Sequence, residues 1–437
     1  MTTGLASASV RARPSAFAGT FAALAFCATV ITASVSIAVS AGAVPTSPKQ
    51  TAVYEMGFVV SLVTVYMSIF VISQVMALAV NQRRRESALL RAVGAAPWQI
   101  RRMVAAEALF TALLALPVGY GLGSLLAVVW FAALDGNGML PDGMSLHIGL
   151  GPLFAALGVL VVSSQLGGII ASLRASRTRP ATALSTSQVQ GGERAGRVRG
   201  FVSLVFIAGA VAITVAFSAG PAEDAGDGIP LVLLAYLIAA GMAGPWFGRI
   251  ATRVAAPVLR RFGGVAGELA VAGSRARARR LSAAITPIAM VTAFALAKFV
   301  SLTGAGEVDS GEIFGTLLYA AFTGVVAANT LVMLTLERLR EFSLLRTIGA
   351  EKRQVRTVVL AEAAITALAG VGTGTAIACA VMVPLGPKTG TPLTGLPVWA
   401  WVATLGAGAL LVWAASAAPL GRMFRVRPIE GVTRRSV

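Results

Sequence analysis

Long uninterrupted runs of apolar residues recur along the whole chain and alternate with short polar segments. A helix needs about 20 apolar residues to cross the hydrocarbon core of a bilayer. Ten runs of about this length are present, at 17–41, 56–80, 104–134, 148–171, 201–219, 229–247, 282–303, 313–336, 358–384 and 398–420. Barrel strands alternate polar and apolar positions, whereas these runs are continuously apolar. The pattern therefore predicts an all-α integral membrane protein with ten transmembrane helices.

The composition supports a membrane protein. Of the 437 residues, 56% are hydrophobic and only 12% are charged, which is more apolar than a soluble domain. The first apolar run, of about 25 residues, is longer than the core of a signal peptide, so we expect a retained helix. Cys27 and Cys379 lie inside predicted spans and His147 is the only histidine. We therefore expect no disulfide framework and no metal site.

The placement of positive charge predicts the orientation in the membrane. The net charge of +18 would suggest nucleic-acid binding in a soluble protein. Here 33 of the 36 Lys and Arg residues fall in the two termini and in the alternate loops 81–103, 172–200, 248–281 and 337–357. By the positive-inside rule these segments are cytoplasmic, in a bacterial plasma membrane. This orientation accounts for the charge, so no nucleic-acid partner is expected.

Two segments of the chain are copies of each other. Residues 85–113 and 340–368 share 16 of 29 positions at an offset of 255, including Arg, Glu, Gln and Gly residues. Six predicted spans separate equivalent positions, so both copies have the same orientation, related by an axis along the membrane normal. We predict two four-helix units, at 1–185 and 266–437. A connector at 186–265 holds the fifth and sixth helices.

A short motif follows the second helix of each unit. Leu89 and Leu90 lie at helical spacing with Val93, and Gly94 suits a helix C-terminus. We predict a short amphipathic helix at the inner membrane surface, then a turn, then the next long helix. Membrane orientation requires only positive charge, so it does not explain the Glu and Gly-Ala shared by both copies. The matched positions are Arg85, Glu86, Leu89, Leu90, Arg91 and Gly94 in the first copy and Arg340, Glu341, Leu344, Leu345, Arg346 and Gly349 in the second.

The motif Arg-Glu-x-x-Leu-Leu-Arg-x-hydrophobic-Gly-Ala resembles the signature of the FtsX-like permease family. This family of ABC transporter permeases includes macrolide-exporter, lipoprotein-release and bacitracin-type members, and the ten-helix kind carries two four-helix units. The resemblance implies that the twelve motif positions dock on a separate cytoplasmic ATPase, present in two copies, which binds the ATP and Mg. The chain itself contains no P-loop motif, so we expect neither enzymatic activity nor a cofactor of its own.

Three functions are compatible with such a chain. The leading one is a permease that couples ATP hydrolysis by its partner to export or extraction of a hydrophobic or amphipathic compound from membrane lipid. The compound would be an antibiotic, a peptide or a lipid. The alternative is a mechanotransmission or signalling subunit acting on a partner protein across the membrane. Short outer loops and the absence of a large extracellular domain argue against it. An ion-coupled transporter would need ionisable groups near the bilayer midplane, and no clear candidate is present.

Small residues in the third helix of each unit predict close helix packing. They are spaced by four positions, which lets neighbouring helices approach closely in lipid. These residues are Gly119, Gly123, Gly370 and Gly374.

One carboxylate lies near the inner end of each of the same two helices. Glu107 and Glu362 have no basic residue three or four positions away on their own helix. A partner elsewhere, such as an Arg of the docking motif, would make each Glu structural. The other interpretation is a proton or substrate site, and we favour the structural one.

Overall fold

The computed structural model describes residues 14–82, 94, 96–176, 193–276, 278–304, several positions between 320 and 335, and 339–425. Within these residues every regular element is a helix, so the predicted all-α class is confirmed. The helices fall into two compact units. The predicted three-part division of the chain stays a prediction.

The first unit contains four helices. They are α1 (Pro14–Gly42), α2 (Pro48–Gln82), α3 (Pro97–Gly136) and α4 (Leu150–Ser176). Helix α1 packs against each of the other three, so it lies at the centre of the unit. The largest fully buried side chains here come from α1, α3 and α4 and are Leu24, Ile31, Ile37, Trp130, Leu134 and Leu160.

The second unit contains the remaining described helices. They are α5 (Glu193–Ala219), α6 (Ala222–Ala276), α7 (Ala278–Gly304), the short α8 (Leu339–Thr347), α9 (Lys352–Leu385) and α10 (Val398–Arg425). Helix α9 packs against α6, α7 and α10. Buried positions on α7, α9 and α10 meet Ala327 and Leu331, from the partly described helix that precedes α8. Helix α9 is therefore the central helix of this unit.

Helix α6 is interrupted by one sharp corner. Gly264 has φ 51° and ψ −139°, outside the helical region and accessible to glycine at little cost. Gly267 then packs directly against the carbonyl group of Leu259, where a Cβ would find no room. Eight residues of continuous helix span about 12 Å, so this contact requires the chain to turn back at Gly264.

Several helices are long and apolar enough to cross a membrane. Six such stretches lie in the described part of the chain, at Phe21–Gly42, Arg102–Gly136, Gly200–Ala219, Gly228–Ala276, Lys352–Leu385 and Val398–Ala418. Shorter apolar stretches lie at Leu150–Leu166 and Ala284–Val300. These helices confirm a multi-pass membrane protein. The count of ten stays a prediction, because the predicted span at 313–336 is only partly described.

Two lysines make hydrogen bonds to carbonyl groups that lie just after helix ends. In the first unit the Lys49 ammonium group donates a hydrogen bond to the Gly138 carbonyl oxygen, at 2.7 Å. In the second unit the Lys388 ammonium group donates to the Gly220 carbonyl oxygen, directly after α5, also at 2.7 Å. Each bond satisfies a carbonyl group that no helix pairs.

Candidate functional site

The second copy of the motif forms α8 and the turn that follows it. Gly349 has φ 105°, a value that side chains other than glycine rarely adopt. Its N–H donates to the Arg346 carbonyl at 3.2 Å, and the N–H of Ala350 donates to the Leu345 carbonyl at 2.9 Å. This pair of bonds is the Schellman arrangement that ends a helix. The Gly-Ala pair of the motif therefore has a structural role.

The glutamine shared by both copies also has a structural role. The side-chain carbonyl of Gln354 accepts a hydrogen bond from the Glu351 N–H at 2.9 Å, at the start of α9. In the first copy Gln99 accepts from the Ala96 N–H at 2.8 Å, at the start of α3. Gly94 has φ 102°, close to the value at Gly349. Both copies thus have a glycine with the same positive φ before the long helix, and the same capping bond at the start of that helix.

One face of α8 is anchored in the core of the second unit. Phe342 is 1% exposed, and Leu345, three positions later, is partly buried beside it. Both pack on a cluster formed by Ala270, Val355, Val358, Val359, Ala361 and Leu420. These residues come from α6, α9 and α10. Phe342 and Leu345 therefore connect α8 to the first turns of α9.

Phe342 was not among the residues predicted from the sequence. Its equivalent in the first copy is Ser87, so comparison of the two copies gives no signal at this position. The spacing of Phe342 and Leu345 places them on one helical face and could have identified the anchor.

The opposite face of α8 projects apolar side chains outward. Ile348 is 84% exposed and Leu344 is 41% exposed, with Glu341 also exposed. The three apolar motif positions of this copy therefore do not share one environment. Leu345 packs inward, whereas Leu344 and Ile348 are exposed. In the first copy Trp98, just after the turn, is 59% exposed. Exposed large side chains at a structured turn are typical of a contact surface.

Six of the twelve predicted motif positions have side chains outside the described part of the chain. Arg340 lies in α8 and Arg346 is partly exposed. The structure describes the helical backbone at Arg340 but not its side chain. The other five first-copy positions lie outside the described residues and are Arg85, Glu86, Leu89, Leu90 and Arg91.

The glycines of α3 make close contacts with α1. A Cβ on Gly119 would overlap Ala28 and lie 2.7 Å from the Ala25 carbonyl oxygen. A Cβ on Gly123 would lie 2.6 Å from the Thr29 carbonyl oxygen and 2.6 Å from the Thr32 Cβ. Real Cβ atoms do not approach other atoms this closely. Both positions therefore require glycine for α1 and α3 to cross at this distance.

The glycines of α9 make the same kind of contact with α7. A Cβ on Gly370 would lie 2.6 Å from the Ile288 Cβ. A Cβ on Gly374 would overlap the Ala289 carbonyl oxygen and lie 2.6 Å from the Thr292 Cβ. At the offset of 255, Gly374 is the counterpart of Gly119. The crossing of α1 with α3 and the crossing of α7 with α9 thus each contain one of a pair of equivalent glycines, Gly119 and Gly374.

The two carboxylates of α3 and α9 are buried. Glu107 is 6% exposed and Glu362 is 7% exposed, and neither is without a partner. The carbonyl of each residue also accepts a hydrogen bond from the threonine four positions later, at 2.9 Å. In the described part of the chain, no group of three or more His, Cys, Asp or Glu residues is arranged to hold a metal ion.

Comparison with known proteins gives one family. The model of the FtsX-like permease C-terminal family matches residues 58–180 and 313–428, together more than half of the chain. Each match includes one copy of the motif and its turn, and the two matches begin 255 residues apart. No curated protein matches the sequence.

Proposed function

The chain belongs to the FtsX-like permease family, and on that premise we propose that it is the permease subunit of an ABC transporter with a separate ATPase. Members of this family are membrane subunits that typically pair with ABC ATPases. The observation that carries the proposal is the double family match, with a glycine of the same positive φ at the motif in each matched region.

The proposed architecture has ten transmembrane helices and cytoplasmic termini. Two four-helix units, 1–185 and 266–437, flank a two-helix connector at 186–265. The common offset of the family matches and the sequence repeat supports this duplication. The equivalent glycine contacts at Gly119 and Gly374 support it further.

The outer face of α8 is the proposed contact with the ATPase. Ile348 and Leu344 are exposed there, although burial of large apolar side chains is favourable. On the other face, Phe342 connects α8 to α6, α9 and α10. Movement of a bound ATPase would therefore reach the transmembrane helices through a packed core. The first copy would provide an equivalent contact, so one chain would bind two ATPase subunits.

The proposed activity is export or extraction of a hydrophobic or amphipathic compound. The predicted outer loops at 42–55 and 304–312 are short, which leaves little room for a domain that collects a soluble ligand. Entry from membrane lipid is therefore the proposed route. An antibiotic, a peptide and a lipid all have the required chemistry.

Site-specific photo-crosslinking tests the docking surface. A photoreactive amino acid would replace Ile348 or, as a control on the same helix, the buried Phe342, in a chain coexpressed with a P-loop ATPase encoded beside it. We expect a crosslink to the ATPase from position 348 and none from position 342. Position 348 crosslinking only to lipid, in a complex that copurifies intact, would exclude this face of α8 from the interface.

A further inference from the structure

The second half of α6 exposes a continuous apolar stripe. Its large side chains recur every four residues, along a ridge that winds around the helix by about 40° at each step. The stripe consists of Trp246 (58% exposed), Ile250 (37%), Val254 (60%), Val258 (57%) and Phe262 (81%). The predicted transmembrane span ended at residue 247, so most of the stripe lies beyond it, within the longer apolar stretch Gly228–Ala276.

Other positions in this segment of α6 pack against α7 and α9. Ala251 and Ala255 pack with Ile285, Ile365 and Ala369, from the membrane-spanning parts of α7 and α9. Leu259 packs against this cluster and also against the cluster that holds Phe342 of α8. Residues 251–259 thus connect the cluster around Ile285 and Ile365 to the cluster that holds Phe342 of α8.

The corner at Gly264 turns the chain back toward the cluster that holds Phe342. After it, Ala266 and Ala270 pack on the same cluster as Phe342. Val265 and Leu269 are 76% and 47% exposed. Residues 258–269, which we name the α6 corner, therefore combine one packed face with an exposed face of large apolar side chains.

Exposed arginines adjoin this apolar surface. Arg260 and Arg261 lie within the α6 corner, and Arg253 and Arg249 lie about two and three turns before Arg260 on the same helix. Glu268 is the only acidic residue between 249 and 276. The exposed surface is therefore both apolar and positively charged.

We propose that the α6 corner binds phospholipids with anionic headgroups in the cytoplasmic leaflet. Phe262, Val265 and Leu269 would insert among the acyl chains, while Arg260 and Arg261 reach the headgroups. Membrane orientation requires basic residues alone, so it does not account for the apolar side chains beside them.

The position of the stripe favours lipid over the ATPase as the occupant. Phe262 ends a ridge of exposed apolar side chains that begins at Trp246, in the predicted span, and continues without interruption to the corner. The outer face of α8, in contrast, carries no such continuation into a span.

Spin-label accessibility tests the lipid contact. The full chain, with Cys27→Ala and Cys379→Ala, would carry a label at Phe262→Cys or at Ile348→Cys, in vesicles of phosphatidylcholine and phosphatidylglycerol. We expect the label at 262 to be relaxed more by oxygen than by a water-soluble nickel chelate, and the label at 348 to show the reverse. A label at 262 that the nickel chelate reaches as readily as at 348 would overturn the proposal. The proposal would also be overturned if the label at 262 became shielded from the nickel chelate only when the ATPase was added.

A matched charge pair tests the headgroup preference. Arg260→Gln with Arg261→Gln removes two charges from the α6 corner, and Lys352→Gln with Arg353→Gln removes two exposed charges at the start of α9. We expect the first pair to lower retention of phosphatidylglycerol in native mass spectra, by about fivefold per arginine. The second pair should leave it near the wild-type value. Equal losses in both pairs, or none in the first, would contradict a specific site.

Discussion

Four glycines fix how closely two pairs of helices approach. Gly119 and Gly123 pack against α1, and Gly370 and Gly374 pack against α7. In lipid, helix association depends on such close packing, because the surrounding acyl chains are as apolar as the side chains. These contacts are therefore a principal source of cohesion within each unit.

A pair of glycines two residues apart allows a controlled test of this packing. Gly119→Ala introduces a methyl group where the backbone of α1 leaves no room, and overpacking of this kind costs about 1–3 kcal/mol. Gly121 meets no atom within 4 Å, so Gly121→Ala should stabilise α3 by about 1 kcal/mol through helix propensity. We expect the thermal unfolding midpoint in detergent to fall for the first variant and to hold or rise for the second. Equal midpoints would show that the crossing is not tightly packed.

Single residues also show which structural roles the sequence repeat could and could not identify. Gly94, Gly349, Gln99 and Gln354 are identical in both copies, and the structure assigns them to turns and helix caps. Sequence identity alone cannot separate such a backbone requirement from a binding role. For the remaining motif positions, such as Glu341, docking on an ATPase stays a prediction.

At the scale of elements, α8 has two faces with different roles. Its anchored face carries Phe342 and its exposed face carries Ile348. If Phe342 transmits movement of the ATPase to the transmembrane helices, loss of its side chain should abolish this coupling while ATPase binding persists.

Replacing Phe342 by Ala tests this separation. The change removes a fully buried ring, and substitutions of this kind cost about 3–5 kcal/mol. We expect the variant to retain its ATPase in copurification but to lose stimulation of ATP hydrolysis by transported compounds. Ile348→Ala, at an exposed position, should instead weaken copurification without changing the unfolding midpoint. If both variants lose the ATPase to the same extent, α8 does not divide these roles between its faces.

Elements differ in how well the sequence predicted them. The apolar runs predicted the long helices well, because burial in lipid and in the protein both require continuous apolar stretches. The continuation of α6 from residue 247 to the corner at Gly264 was not predicted, since the hydropathy falls after residue 247 while the helix persists. It persists because Ala251, Ala255 and Leu259 pack on α7 and α9. This tertiary contact is invisible in a count of apolar residues.

At the scale of the whole molecule, the proposed route of the compound is through the bilayer. Purified permease and ATPase in lipid vesicles would be given pairs of analogues that differ in membrane partitioning. We expect the membrane-partitioning member of each pair to raise ATP hydrolysis more than the water-soluble one. Stronger stimulation by soluble analogues would contradict entry from lipid.

The central claim is that one duplicated permease chain binds two ATPase subunits. It rests on two family matches and on two turns of the same geometry. Native mass measurement of the intact complex, released from lipid nanodiscs, counts the subunits directly. We predict one permease chain with two ATPase chains. Two permease chains with two ATPase chains would contradict the claim, because each chain would then supply only one docking site.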